Sequence, residues 1–292
     1  MQFQKIINSK LDNLDEFISR NKKNYESASP FPFIVIEDFF SVEFLNEILK
    51  QFPNLEEKKK TTNYSNKNEV KFANNEYERF PKNIKTLFDF LNSNFFVDFL
   101  QGITGITEKL VPDFQLNGGG LHEIKKGGLL KIHSDFNRHP NLDLDRRLNV
   151  LIYLNKNWKE EYGGHLEFWD KDMKACRKKI LPVFNKMVIF STTDNSNHGH
   201  PDPLSCPDII SRKSIATYYY SKGRPLNEID KMFSKNTTYF KDRAGQYDET
   251  EQVSGKFRRF LRSLNIYQKF KIIEKKLIRT GRSKRKRENQ ND

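Results

Sequence analysis

Gly127-Gly128-Leu129-Leu130-Lys131-Ile132-His133-Ser134-Asp135-Phe136 is the stretch that decides how this chain is read. Residues i and i+2 of a strand project from one face, so a short strand here offers the His133 imidazole and the Asp135 carboxylate to a common point. A second imidazole comes from a distant loop, Asp194-Asn195-Ser196-Asn197-His198-Gly199-His200-Pro201, in which either His198 or His200 can reach a metal. Two imidazoles and one carboxylate on one side of an octahedral ion suit Fe(II) and leave its other side open for dioxygen and a chelating co-substrate.

An HxD pair alone is a weak signal, so the elements around it matter. Arg147 to Asn155 reads as a buried strand, and Gly163-Gly164-His165-Leu166-Glu167-Phe168-Trp169 as a turn and strand. Two short apolar strands follow at Ile180–Val183 and Met187–Thr192, and Arg212 to Tyr220 is rich in strand-favouring residues. Short strands punctuated by Gly, Pro and Asn predict an antiparallel barrel or jelly roll.

The order and spacing of these motifs, from about Asn117 to Pro225, resemble the Fe(II)- and 2-oxoglutarate-dependent oxygenases of the prolyl 4-hydroxylase type. The resemblance rests on HSD at His133 to Asp135, LIYLNKNW at Leu151 to Trp158, YGGHLEFW at Tyr162 to Trp169, His198, and RKSIATYYY at Arg212 to Tyr220. It implies a fold that is mainly β with flanking helices: a double-stranded β-helix (jelly-roll) core buttressed by N-terminal helices. It implies His133, Asp135 and His198 as iron ligands, with His200 at a core-packing position two residues on. Arg212 would bind the distal carboxylate of 2-oxoglutarate, with the Tyr153 hydroxyl donating to it.

The chemistry of Arg212 agrees independently, because a guanidinium presents a planar fork of donors to a carboxylate. Ser214, at i+2, shares its strand face and can add a hydrogen bond. Lys213 is the other cation in reach. The implied activity is a dioxygenase reaction that hydroxylates an unactivated C–H bond and releases succinate and CO2, with ascorbate as an accompanying reductant. A prolyl residue or proline-like group is the acceptor by resemblance alone. The same chemistry on a nucleic acid, saccharide or small metabolite, or a non-catalytic jelly-roll binding module, are the alternatives.

Other polar residues read as structural. His122, His139 and His165 are expected to be packed or exposed. The glycine run before His122 lacks the Lys-Ser/Thr ending of a phosphate loop and reads as a tight turn. Lys131 is expected on the His133 face of the strand. Asp143-Leu144-Asp145-Arg146-Arg147 reads as a surface ion-pair patch, Lys58 to Phe72 as a polar loop, and Tyr218-Tyr219-Tyr220 as a strand with one tyrosine in the core.

Three segments are expected: a helical and strand support region (1–112), the dioxygenase domain (113–226) and a C-terminal extension (227–292). Phe31 to Ile36 reads as a strand, Val42 to Phe52 as an amphipathic helix, and Leu11 to Ile18 and Ile84 to Leu100 as helical stretches. With 36% apolar residues and 25 phenylalanines the chain can build a large core. No apolar run is long enough for a transmembrane segment, the N-terminus lacks a signal-peptide core, and Cys176 and Cys206 fit a reducing compartment, so a cytoplasmic protein is expected.

Lys256 to Asp292 holds 14 Lys and Arg against 3 acids, a surplus of +11 in a chain of net +13, so the rest is nearly neutral. Phe257, Phe260, Leu261, Leu264, Tyr267 and Phe270 recur at helical spacing, predicting a basic amphipathic helix with a disordered end. Such a tail can contact RNA or ribosomes or an anionic surface, or dock on the body of the protein.

Overall fold

A computed structural model describes residues 5–11, 13–57, 61–225, 228 and 238–243. They belong to one compact unit formed by Met1–Asp230 and Lys235–Arg243. The basic C-terminal tail, residues 256–292, lies outside the described residues.

In chain order the elements are α1 (Leu14–Glu26), β1 (Phe33–Glu37), α2 (Val42–Gln51), β2 (Thr62–Ser65), β3 (Glu69–Asn74), α3 (Lys82–Leu91), α4 (Asn94–Thr104) and β4 (Val111–Pro112). Then come β5 (Gly120–Ile124), β6 (Leu129–Ser134), β7 (Asp145–Tyr153), β8 (Leu166–Trp169), β9 (Cys176–Ile180), β10 (Lys186–Ser191), β11 (Asn197–His200), β12 (Arg212–Ser221) and β13 (Tyr239–Phe240).

The strands pair antiparallel in the order β1-β10-β7-β12-β5-β3-β6-β11-β8-β9, with β2 on β3, β4 on β12 and β13 on β6. The sheet curls until its two arms meet: Phe168 of β8 packs on Phe190 of β10 at 5.2 Å between ring centroids, and Phe190 lies 4.7 Å from His198 of β11. This is the jelly roll the sequence predicts.

Period-two alternation decides what each strand gives to each side. On β7, Leu148, Val150 and Ile152 join the large core under the helices, while Asn149, Leu151 and Tyr153 line the hollow of the curl. On β12, Ile215 and Tyr219 join that core, and Ser214 and Tyr218 face the hollow. All three tyrosines of the Tyr218–Tyr220 run are buried, not one.

The helices present Leu45, Ile48, Leu87, Phe90, Phe96 and Leu100 to the sheet, each buried. Their starts are fixed by side chains that accept from otherwise unpaired backbone N–H groups: Asn13 from Glu16, Ser41 from Phe44 and Ser93 from Phe96. The Ser93 cap splits the expected helix at 84–100 into α3 and α4.

Three further expectations are corrected. Within Lys58 to Phe72 a β2–β3 hairpin forms, with Thr62 opposite Ala73 and Ser65 opposite Val70. The expected strand at Ile180–Val183 is the end of β9 and the loop after it. The His198 loop is a strand, held between β6 and β8. Cys176 and Cys206 are free thiols, and among the described residues no helix is long and apolar enough to cross a membrane.

Candidate active site

A cavity of about 230 Å³ occupies the hollow, and His133, Asp135, His198, Tyr153, Arg212 and Ser214 all line it. The two histidines meet because β6 and β11 pair with a bulge. His198 stands opposite His133, and His200, two residues on, stands opposite Leu130, three residues back. The extra residue brings Leu130 and His133 to one face, and Lys131, expected on the His133 face, is not among the residues that line the cavity. Gly199 permits this approach, since a Cβ there would lie 2.7 Å from the carbonyl oxygens of Leu130 and Lys131.

Each imidazole is oriented by its own backbone. His133 Nδ1 is 2.8 Å from the Lys131 carbonyl oxygen, and His198 Nδ1 is 2.9 Å from that of Ser196. A carbonyl only accepts, so both Nδ1 atoms carry the proton and both Nε2 atoms turn a lone pair inward. Asp135, one residue beyond the end of β6, sits between them: Oδ1 is 3.5 Å from His133 Nε2 and Oδ2 is 3.4 Å from His198 Nε2. The three donors lie within 4.8 Å of one another. Adjacent donors on an ion bound at ~2.1 Å stand roughly 3 Å apart, so this set fits a metal held from one side. His200 does not join it.

Burial opposes charge on Asp135, but interactions led by the Arg146 guanidinium outweigh it and hold the carboxyl well below the usual range. Burial pushes His198 down to about 4 against the attraction of Asp135. The resulting anionic oxygen of Asp135 and neutral imidazole of His198 are the protonation states a metal requires.

Arg146 was expected in a surface patch and is instead 1% exposed. Its Nη2 donates to Asp135 Oδ2 at 3.0 Å, and Asn149 Nδ2 donates to the same oxygen at 2.7 Å. The guanidinium carbon stands 3.4 Å from the Tyr218 ring centroid and 4.5 Å from that of Phe136. A basic run after an HxD motif was the available signal for this residue, but the partner that admits it to the interior is distant in sequence.

At the other end of the cavity Arg212 is 5% exposed. Its Nε donates to the Gly164 carbonyl at 2.9 Å and its Nη2 to the Tyr153 hydroxyl at 3.3 Å. Gly164 has φ +72°, and a Cβ there would lie 3.0 Å from Arg212 Cδ, which accounts for the glycine in that turn. Burial raises the Tyr153 pKa against the pull of Arg212, so the hydroxyl keeps its proton and, already accepting from Arg212, is free to donate. Ser214 stands opposite both Tyr153 and His122 in the register. Lys213 points elsewhere, toward Glu123 at 3.3 Å. Among the described residues no carboxylate pairs with Arg212.

The remaining histidines divide. His139 is buried and accepts from the backbone of Asn141 and Leu142, and His165 pairs with Glu160. His122 and His200 line the cavity.

Residues 119–220 match the sequence profile of the 2OG-Fe(II) oxygenase superfamily. That matched segment is the one that carries the donor set and Arg212. Mouse prolyl 3-hydroxylase OGFOD1 is 31% identical over 97 residues, 31% of this chain, and the match spans 17% of the mouse protein. Two solved structures share the fold. A Trichoplax adhaerens prolyl hydroxylase in complex with a hypoxia inducible factor peptide has a TM-score of 0.53 and 19% identity, over 73% of this chain and 93% of that one. A Pseudomonas putida prolyl-4-hydroxylase has a TM-score of 0.51 and 12% identity, over 72% and 100%.

Proposed function

We propose that the protein is an Fe(II)- and 2-oxoglutarate-dependent dioxygenase that hydroxylates a prolyl residue. The observation that carries this is the union, in one cavity, of a two-His, one-carboxylate donor set with a buried arginine that pairs with no carboxylate among the described residues. His133, Asp135 and His198 would hold the iron through Nε2, a carboxylate oxygen and Nε2, all from one side. Arg212 and the Tyr153 hydroxyl would hold the distal carboxylate of 2-oxoglutarate, with Ser214 beside them. Bound Fe(II) would supply dioxygen activation coupled to decarboxylation of 2-oxoglutarate to succinate and CO2, with transfer of one oxygen atom into a C–H bond.

Arg146 and Asn149 keep Asp135 ionised and aimed. Phe136, Tyr218 and Phe240 give the cavity an apolar wall beside the donor set, which suits a pyrrolidine ring. The mouse relative's prolyl activity supports the same acceptor.

The test is anaerobic titration of the protein with Fe(II) and 2-oxoglutarate, followed through the visible charge-transfer band of the chelate. The band is expected in the wild type and in His200→Ala, and not in His198→Ala. Succinate release with ascorbate as reductant should then rise on adding prolyl peptides, which gain one oxygen atom by mass spectrometry. No band in the wild type overturns the oxygenase reading.

A further inference from the structure

Two residues beyond His198 the resemblance calls for a core-packing side chain, and this chain has His200. It is 3% exposed, and neither of its ring nitrogens has a hydrogen-bond partner among the described residues. Buried polar groups are rarely left unmatched, and an apolar residue would fill mere packing space better. The ring lines the active-site cavity, where a ligand can reach it.

Its surroundings say which ligand. β11 runs antiparallel to β8 with Gly199 opposite Glu167, so His200 lies one step nearer the Gly164 turn whose carbonyl accepts from Arg212, between the arginine end of the cavity and the donor set. On β6, Leu130 pairs with both His200 and Glu69, two residues before Lys71. Lys71 is already matched by Glu69 at 3.2 Å. Arg212 is therefore the uncompensated cation here among the described residues, suited to one carboxylate group. A carboxylate offers about four lone-pair directions, more than Arg212 and Tyr153 fill.

His122, the other cavity histidine, is different. Among the described residues only its Nε2 is buried without a hydrogen-bond partner, whereas both ring nitrogens of His200 are.

We infer that His200 donates a ring N–H to the distal carboxylate of the bound 2-oxo dicarboxylate, as a third clamp beside Arg212 and Tyr153. This rests on the oxygenase reading above.

Calorimetric titration of Mn(II)-loaded protein with 2-oxoglutarate tests it, with His200→Leu, His200→Gln and His122→Leu alongside the wild type. His200→Leu should weaken 2-oxoglutarate by about tenfold, and His200→Gln, which keeps an N–H donor, should stay within about threefold of the wild type. His122→Leu should weaken it less than His200→Leu, and Mn(II) affinity should be the same throughout. With 2-oxovalerate, which lacks the distal carboxylate, wild type and His200→Leu should bind alike.

The inference fails if His200→Leu binds 2-oxoglutarate as the wild type does, if Gln does no better than Leu, if His122→Leu loses as much, or if metal affinity falls in step. A tenfold loss that persists with 2-oxovalerate places His200 at the keto-acid end and also overturns it. Absence of metal-dependent 2-oxoglutarate binding in the wild type is a separate result that removes the oxygenase reading itself.

Discussion

Two arginines, Arg146 on β7 and Arg212 on β12, are buried in one cavity and are used in opposite ways. Arg146 is paired within the protein: its charge is spent on Asp135, and two aromatic rings flank it. Arg212 has a carbonyl and a phenol but no carboxylate among the described residues. Burying a cation without a counter-ion is unfavourable unless a ligand supplies one. The first arginine thus completes the protein's own donor set, and the second is left for the ligand carboxylate proposed above.

The sharpest way to break this comparison is Arg212→Met. It should weaken 2-oxoglutarate by about a hundredfold, as expected for truncating one side of a buried charged pair, while Fe(II) affinity stays as it was. Calorimetry of each ligand separately checks both halves.

Arg146→Met should do the reverse. Metal affinity should fall by about 10- to 100-fold and unfolding stability by about 3–5 kcal/mol, because Asp135 is left buried with only Asn149 and the imidazoles to hold it. Metal titration and denaturant unfolding measure the two effects. An Arg146→Met protein that keeps its metal and loses 2-oxoglutarate would reverse the assignment of the two arginines.

A third prediction uses pH. Burial, together with Lys71 and Arg212, pushes His122 down to about 3 from its ordinary 6.5. The unfolded chain therefore takes up a proton that the folded chain refuses. The stability linked to neutral His122 is present above pH 6.5 and is lost as pH falls toward about 3. In His122→Asn the decline of unfolding free energy across this window should be shallower by up to about 1.4 kcal/mol per pH unit. Denaturant unfolding at several pH values checks it, and an unchanged slope would mean that the cations of the cavity do not act on this ring. The smallest effect is expected from Tyr153→Phe, which removes one hydrogen bond at the Arg212 end and should weaken 2-oxoglutarate about fivefold.

The meeting of His133 with Asp135 was legible in the sequence because only two positions separate them, although Asp135 falls just past the end of β6. The choice between His198 and His200 was not decidable from the loop alone. It depends on a bulge in the partner strand, and pairing registers are set by distant residues. Arg146 was misread for a related reason: a run of two acids and two arginines has the composition of a solvated surface, and only the Asp135 carboxylate makes burial tolerable. The β2–β3 hairpin escaped because its Asn, Lys and Ser residues mimic a loop, while Val70 and Phe72 alternate too briefly to stand out. The helices were legible from their apolar spacing, and the Ser93 cap was the missed clue to their division.

Strand β13 carries a practical consequence. It lies along the edge of β6, with Tyr239 opposite Ser134 and Phe240 opposite His133, and Lys241 N–H donates to the Ile132 carbonyl at 2.7 Å. A chain trimmed to residues 119–220 would leave that edge of β6 bare, and bare strand edges invite pairing between molecules. A preparation cut back to residues 119–220 should therefore tend to self-associate through the very strand that carries the HxD motif.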